Sequence, residues 1–400
     1  MQKVAVLKAQ DNGDTADLMN ARGRKLPITS PRVSIQSVVS NRDNLQKTVA
    51  EAIEKAGAGN IISKGDSVLL KPNLHGSVGI TDLSVIEAIA RWIWDCGARE
   101  IIIGDGPFYG IVNGLEHFEK IGVMEVAKKV NAQCVAFDEH DFRIFHNVSK
   151  HLPDELGITR FAYDCDKMIN APIMKTHFNT LVTLGMKNLK GCIRKREKRI
   201  FHQINLDRAI VELNRLLQAD LTIMDATRAM EGMGPAGGAW VDMGLILAST
   251  DVVAMDAVCC YLMGIDPDEV MTLRFAQRTG LGETNINKIE IVGENLDEHK
   301  RHFERPIDSM RRQYPQLNLS NEGACSGCNM NLFAALRGLK WQGGELAWDE
   351  IVMGNGKPKS ADALLIGSCT SSLRKEYPYL PGCPPDVEEI REKLVRNPFS

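Results

Sequence analysis

The chain reads as an α/β protein: a large mixed or parallel sheet domain with flanking helices, followed by a smaller C-terminal α/β cysteine-rich module. Three observations predict this. Short β-branched runs alternate with amphipathic segments through the first 300 residues or so. Several of those runs end in polar or glycine-rich motifs, as strands do where an open α/β sheet binds its ligand. Beyond residue 320 the character changes, and four cysteines stand in glycine- and proline-rich settings.

Taken in order, strands are expected at Val4–Leu7, Ser67–Leu70, Ile101–Gly104, Cys134–Phe137, Met168–Ala171, Leu221–Met224, Leu245–Ala248 and Lys288–Val292. Helices are expected between them. Leu83, Ile86, Ile89, Ala90 and Ile93 recur at helical spacing, as do apolar positions from Leu206 to Leu217 and from Val252 to Leu262, the last capped by Thr250 or Asp251. Residues 297–320 carry little apolar periodicity and read as a linker between a large domain, 1–296, and a module, 321–400. In that module Asn331–Leu339 reads as helix, Ala361–Gly367 as a buried strand and Asp386–Val395 as an amphipathic helix.

Composition narrows the function. With 44% hydrophobic and 25% charged residues and a formal charge of -3, the chain has the make-up of an ordinary globular protein without general attraction for nucleic acid or anionic lipid. No apolar run reaches the roughly eighteen residues of a membrane span, and the opening Met-Gln-Lys-Val-Ala-Val-Leu-Lys enters a strand pattern instead of a signal sequence, so a cytoplasmic protein is expected. Ten cysteines in such a chain argue against a disulfide framework. Cys96, Cys134, Cys165, Cys259 and Cys260 lie in apolar runs as small core residues, and Cys192 is left open.

Four strands of the large domain lead into polar motifs: Lys71-Pro72-Asn73, Asp105-Gly106-Pro107, Lys175-Thr176-His177 and Asp225. Thr183 to Gly191 and Glu231 to Gly238 supply further glycines that permit close backbone approach. Each residue taken singly could be a turn former or helix cap. Together, Lys71, Lys175, Lys187 and Lys190 with His177 and His202 make a positive pocket for a small anionic substrate, with Asn73, Asp105, Asn188 and Glu231 as further binding residues. His177 beside Lys175 is the candidate acid or base, with His202 and Asp225 as second candidates. The run Arg194 to Arg199 either adds to the pocket or forms a solvated face, the commoner fate of a charge run.

Nucleotide signatures fail. Gly104 to Gly110 misplaces the last glycine of the dinucleotide fingerprint, and Pro107 removes a backbone donor, so a nicotinamide cofactor is disfavoured. The P-loop, the zinc-peptidase helix and the nucleophile elbow are all missing from the sequence.

Cys325 and Cys328 form a C-x-x-C that can aim two thiolates at one metal group, and Cys369 and Cys383 could close it from the other side. Their uneven spacing favours a [4Fe-4S] cluster over structural zinc, which stays the alternative.

Over residues 1–295, Lys71-Pro72-Asn73, Gly104-Asp105-Gly106-Pro107, Lys175-Thr176-His177, Leu184 to Gly191, Glu231 to Pro235, and Asp251 with Met255-Asp256-Ala257 resemble, in order, the motif series of the "domain of unknown function 362" family. The resemblance implies an association with iron–sulfur ligation. Over 323–385, Cys325-Ser326-Gly327-Cys328, Gly367-Ser368-Cys369 and Pro381-Gly382-Cys383-Pro384-Pro385 are similar to the cluster-binding pattern of nickel–iron hydrogenase small subunits. That implies one [4Fe-4S] cluster on the four cysteines and an electron donor or acceptor protein as partner. A likeness of plan to the lactate racemase group, with lysine and histidine around a substrate pocket, implies instead a non-redox isomerase, racemase or lyase of a small carboxylate. The leading reading is a redox enzyme or electron-transfer protein whose [4Fe-4S] cluster acts with a small anionic substrate at the strand ends of the large domain; a protein that hands electrons or a cluster to a partner is the third.

Overall fold

The computed structural model describes residues 30–38, 44–315, 317–322, 324, 326–341 and 345–395, and the backbone alone at 18–19, 25–26 and a few helical positions. The expected strand Val4–Leu7 and Cys325 lie outside the described residues.

The large domain is built on a ten-stranded sheet. Its strands are β1 (Arg32–Ser37), β2 (Ser67–Pro72), β3 (Glu100–Asp105), β4 (Gln133–Ala136), β5 (Lys167–Ala171), β6 (Ile173–His177), β7 (Leu181–Thr183), β8 (Leu221–Met233), β9 (Gly237–Ser249) and β10 (Glu290–Gly293). The order is β10-β1-β9-β8-β5-β2-β3-β4, with β6 also alongside β8 and β7 beside β6. From β8 to β4 every neighbour pair is parallel, while β9 runs antiparallel to both β8 and β1.

Alternation sorts the side chains between the two faces. On β2, Val68 and Leu70 join the apolar cluster that includes the buried faces of α1 (Leu45–Lys55) and α2 (Leu83–Asp95), and Leu69 joins the cluster on the other face. Ile101 and Ile103 against Ile102 repeat the pattern on β3. On that second face, α4 (Leu206–Leu216) inserts Ala209 and Leu213, leaving α3 (Lys195–Ile200) as the short helix before it. α5 (Val252–Leu262) is apolar on nearly all sides and almost wholly buried; Asp251 is its cap, accepting the backbone N–H groups of Val253 and Ala254.

Three of the sequence expectations shift. Lys175-Thr176-His177, expected beyond a strand, lies within β6, because Pro172 breaks the ladder after β5 and the chain re-enters the sheet beside β8. The strand expected at Leu221–Met224 continues to Met233, and the glycine-rich stretch after Glu231 is the turn of the β8–β9 hairpin. β10 begins at Glu290, after a 3-10 turn at Ile286–Lys288.

Residues 297–320 contain α6 (Pro306–Gln313) and β11 (Asn318–Ser320), with Met310 and Tyr314 packed into the C-terminal core. That core is a four-stranded parallel sheet, β11-β12-β13-β14, with β12 (Glu350–Met353), β13 (Ala363–Ile366) and β14 (Tyr379–Leu380), covered by α7 (Ser326–Trp341) and α8 (Val387–Leu394). Phe178 and Met233 of the large domain pack against the same apolar cluster, so the module is seated on the carboxyl ends of the central strands.

Candidate functional site: a lysine-lined cavity between the two units

β2 lies between β3 on one side and β5 on the other, so the chain reverses its direction of travel across the sheet there, the place where open α/β sheets bind ligands. A cavity of about 1070 Å³ opens at these strand ends.

Its floor is fixed by charge. Lys71, fully buried, sets Nζ 2.8 Å from Asp105 Oδ1 and donates to the Pro72 carbonyl at 3.0 Å. Asp105 also accepts the N–H groups of Leu74 and Gly106, both at 2.8 Å. A Cβ on Gly191 would collide with Asp105 Oδ1 and crowd Lys71 Nζ, so only glycine lets that segment close over the pair.

On β6, Lys175 and His177 point to one face and Thr176 to the other, where its hydroxyl donates to Gly232 O at 2.9 Å. Lys175 Nζ donates to Gly79 O (2.7 Å) and Pro235 O (3.3 Å). His177 Nδ1 accepts the Asn179 N–H at 2.8 Å, which leaves the neutral ring's proton on Nε2. The turn after β7 is anchored by Asp256, which accepts Gly185 N–H at 2.7 Å and Met186 N–H at 2.9 Å. Lys187, Asn188 and Lys190 are presented from that turn. Lys190 Nζ meets His202 Nε2 at 2.6 Å, and Asn188 donates to Asn170 Oδ1 at 2.8 Å.

Of the residues expected from sequence, Asn73, Asp105, Lys175, His177, Lys187, Asn188, Lys190 and His202 line this one cavity. Three do not. Lys71 lies beneath it as the partner of Asp105. The Asp225 carboxylate accepts from Asp82 N–H at 2.8 Å and from Thr227, a loop-fixing role, and burial raises its pKa to about 6. Glu231 accepts Glu304 N–H at 2.8 Å and so ties the hairpin to the segment before α6.

The charge run divides between both of its expected fates. Arg194 pairs with Glu155 and Glu197, whereas Lys198 turns inward, buried near Asp138 at 3.4 Å, and lines the cavity. His75 was missed, although it follows Lys71-Pro72-Asn73 by two residues; its ring packs edge-on against Phe108 at 5.4 Å. Asn179 and the far wall, Asn331, Phe333 and Arg337 of α7, were also missed, since only the docking of the module brings that wall here.

Crowded, buried cations lose affinity for protons. Burial lowers Lys175 to about 7, with Asp105 opposing, and lowers Lys190 to about 7, assisted by Lys198. Lys187 is pushed well below the ordinary lysine range by burial and then by Lys190 and Lys175. His75 and His177 are held well below 6.5 by burial and the neighbouring Lys187, and His202 falls to about 3 by burial and Lys190. An anion in the cavity would relieve this repulsion.

Cys192, Cys259 and Cys260 are buried and Cys96, Cys134 and Cys165 half-buried. The segments bearing Cys328, Cys369 and Cys383 converge. Ser368 N–H and Oγ both donate to Gly382 O, at 2.7 and 3.0 Å, joining the loops of Cys369 and Cys383, and a Cβ on Gly367 would lie 3.0 Å from Cys328 Sγ. Cys328 is buried, Cys369 and Cys383 exposed. Among the described residues, no group of three or more His, Cys, Asp or Glu side chains is arranged to hold a metal ion. Thiols are the soft ligands that iron–sulfur groups take, and the fourth cysteine of the set, Cys325, lies outside the described residues.

Comparison with known proteins adds the following. The family described as Domain of unknown function (DUF362) matches residues 68–261. A thylakoid-associated protein of Synechocystis sp. is 31% identical over 239 residues, 57% of this chain and 72% of that protein. The lactate racemase apoprotein of Thermoanaerobacterium thermosaccharolyticum aligns at 12% identity and a TM-score of 0.38, over 61% of this chain and 60% of its own, so the chain spans under two thirds of it. A Thermotoga maritima protein of known crystal structure aligns at 12% identity and a TM-score of 0.31, over 90% of this chain and 94% of its own. Among the described residues, no helix is long and apolar enough to cross a membrane.

Proposed function

The chain belongs to the DUF362 family, and on that footing we propose that it is an iron–sulfur enzyme that binds a small anionic substrate in the lysine-lined cavity and exchanges electrons with it. Cys325, Cys328, Cys369 and Cys383 would hold one [4Fe-4S] cluster, which when bound supplies or accepts electrons one at a time.

One observation carries the reading: α7 runs from the C-x-x-C segment into the cavity wall. Cys328 and Asn331 are three residues apart on that helix, a rise of about 5 Å, and Phe333 and Arg337 follow on the wall. Lys187 and Lys175 would hold the anionic group, and the Nε2 proton of His177 is the one available for transfer. The exposed Cys369 and Cys383 leave a face where an electron donor or acceptor protein could approach. Reduced thiols of this kind suit the cytoplasm.

The fixed tautomer of His177 and the depressed lysines favour a second reading, acid–base isomerisation or elimination of a small carboxylate beside a structural cluster. The deciding experiment is iron and acid-labile sulfide analysis of anaerobically purified protein, with electron paramagnetic resonance before and after dithionite. About four irons and four sulfides with a reducible signal support the redox reading. One zinc without sulfide ends it.

A further inference from the structure

The lysines of the site differ in what their Nζ atoms meet. Lys71 faces the Asp105 carboxylate, Lys198 faces Asp138 and the Pro107 carbonyl, and Lys175 donates to two backbone carbonyls. In all three the Nζ donates to an oxygen. Lys187 has no hydrogen-bond partner among the described residues and faces the cavity. Lys190 alone meets an imidazole nitrogen, His202 Nε2 at 2.6 Å.

The direction of that contact follows from the other side of the ring. Asn179 Nδ2 lies 3.3 Å from His202 Nδ1 and donates to it, so Nδ1 carries a lone pair and the ring proton is on Nε2. An Nε2–H can approach Lys190 Nζ at this distance only as a donor to a neutral amine. A neutral amine in a cavity of cations is a nucleophile.

We infer that Lys190 forms an imine with a carbonyl-bearing anion of the 2-oxo acid class, an inference that rests on the anion-binding reading of the cavity. The Lys190 nitrogen lone pair attacks the carbonyl carbon, forming the N–C bond as the C=O π pair moves to oxygen, and the Nε2–H of neutral His202 hydrogen-bonds that oxygen without giving up its proton. One proton passes from the nitrogen to the oxygen, leaving a carbinolamine. The nitrogen's second proton passes to the hydroxyl as the C–O bond breaks and the nitrogen lone pair closes the C=N bond, so the oxygen leaves as water carrying both hydrogens of the former amine. Nothing is oxidised or reduced. Lys187 pairs with the ligand carboxylate throughout.

The test incubates the full-length protein with pyruvate and sodium cyanoborohydride at pH 7, locates the reduced adduct by peptide mass spectrometry, and measures reversible pyruvate and phosphate binding by calorimetry without reductant. At that pH an amine titrating near 7 is about half unprotonated, an ordinary lysine about one part in 2500. The expected result is adduct on Lys190 at least about a hundredfold above exposed lysines, protection by phosphate, loss in Lys190→Gln, and weaker labelling of Lys190 in Lys187→Gln. Adduct on Lys175, or spread over surface lysines, overturns the inference. Anion binding with no adduct overturns it while leaving the anion-binding reading intact; no anion binding and no adduct overturns both.

Discussion

Lys71 and Asp105 form a 2.8 Å ion pair between the ends of two neighbouring parallel strands, with both side chains out of contact with solvent. Lys71 sits below the cavity and Asp105 lines it, so the pair holds the cavity floor by charge. Removing one partner strands the other charge in the interior, so Asp105→Ala is expected to cost about 3–5 kcal/mol. Urea unfolding of both single variants and of the Lys71→Met/Asp105→Leu double variant checks this. The double variant should recover most of the loss, and equal losses in all three would argue against the pair as the cause.

Stability should fall with falling pH already near neutrality, in the same direction as acid denaturation but well above the carboxylate range. Lys175 and Lys190 titrate near 7 in the folded protein and near 10.4 unfolded, so the unfolded chain binds more protons in between. Their contribution is present at high pH and lost as pH falls through 7. Between pH 7 and about 8.5, below the titration of unfolded thiols, the melting temperature should rise. Saturating phosphate should flatten the slope, and so should Lys175→Met with Lys190→Met. Above that window the buried thiols Cys134 and Cys192, raised to about 11 and about 12 by burial, offset the trend. A flat profile from 7 to 8.5 would mean the lysines are not buried cations.

Lys187 should separate binding from folding. Its ammonium is desolvated without a hydrogen-bonded partner among the described residues, so Lys187→Gln is expected to leave stability unchanged or higher. Phosphate affinity should fall about 10- to 100-fold, the worth of one charged hydrogen bond. Calorimetry paired with thermal melts reads both effects.

If the proposed cluster is bound, the cysteines divide into two chemical populations. Cys383→Ser and Cys369→Ser should then each lower iron content sharply, whereas Cys192→Ser, at a buried thiol of the large domain's core, should leave iron unchanged and lower stability by about 1 kcal/mol or more. Iron assay and thermal melts on the same preparations distinguish the two. Equal iron loss in all three would point to unfolding as its cause.

Sequence alone determined what short-range chemistry dictates. The β-branched runs at Ser67–Leu70 and Ile101–Gly104, the helical spacing of Leu83 to Ile93 and the cap at Asp251 are properties of a few neighbouring residues, and local sequence carries them. The motifs at the strand ends were legible for the same reason, since polar residues after an apolar run stand out wherever the chain later goes. What those residues do to one another was decided only by tertiary structure. Lys71 and Asp225 look alike in sequence to Lys175 and Asp105, as charged residues ending a strand pattern, yet Lys71 and Asp225 are engaged beneath or beside the cavity and the other two open into it. Lys198, inside a run that reads as solvated, turns inward because its short helix lies across the ends of β3 and its turn. The far wall from α7 depends on Phe178 and Phe333 meeting across more than a hundred residues of chain. Contacts at that separation are fixed by packing of whole elements, and no local pattern records them.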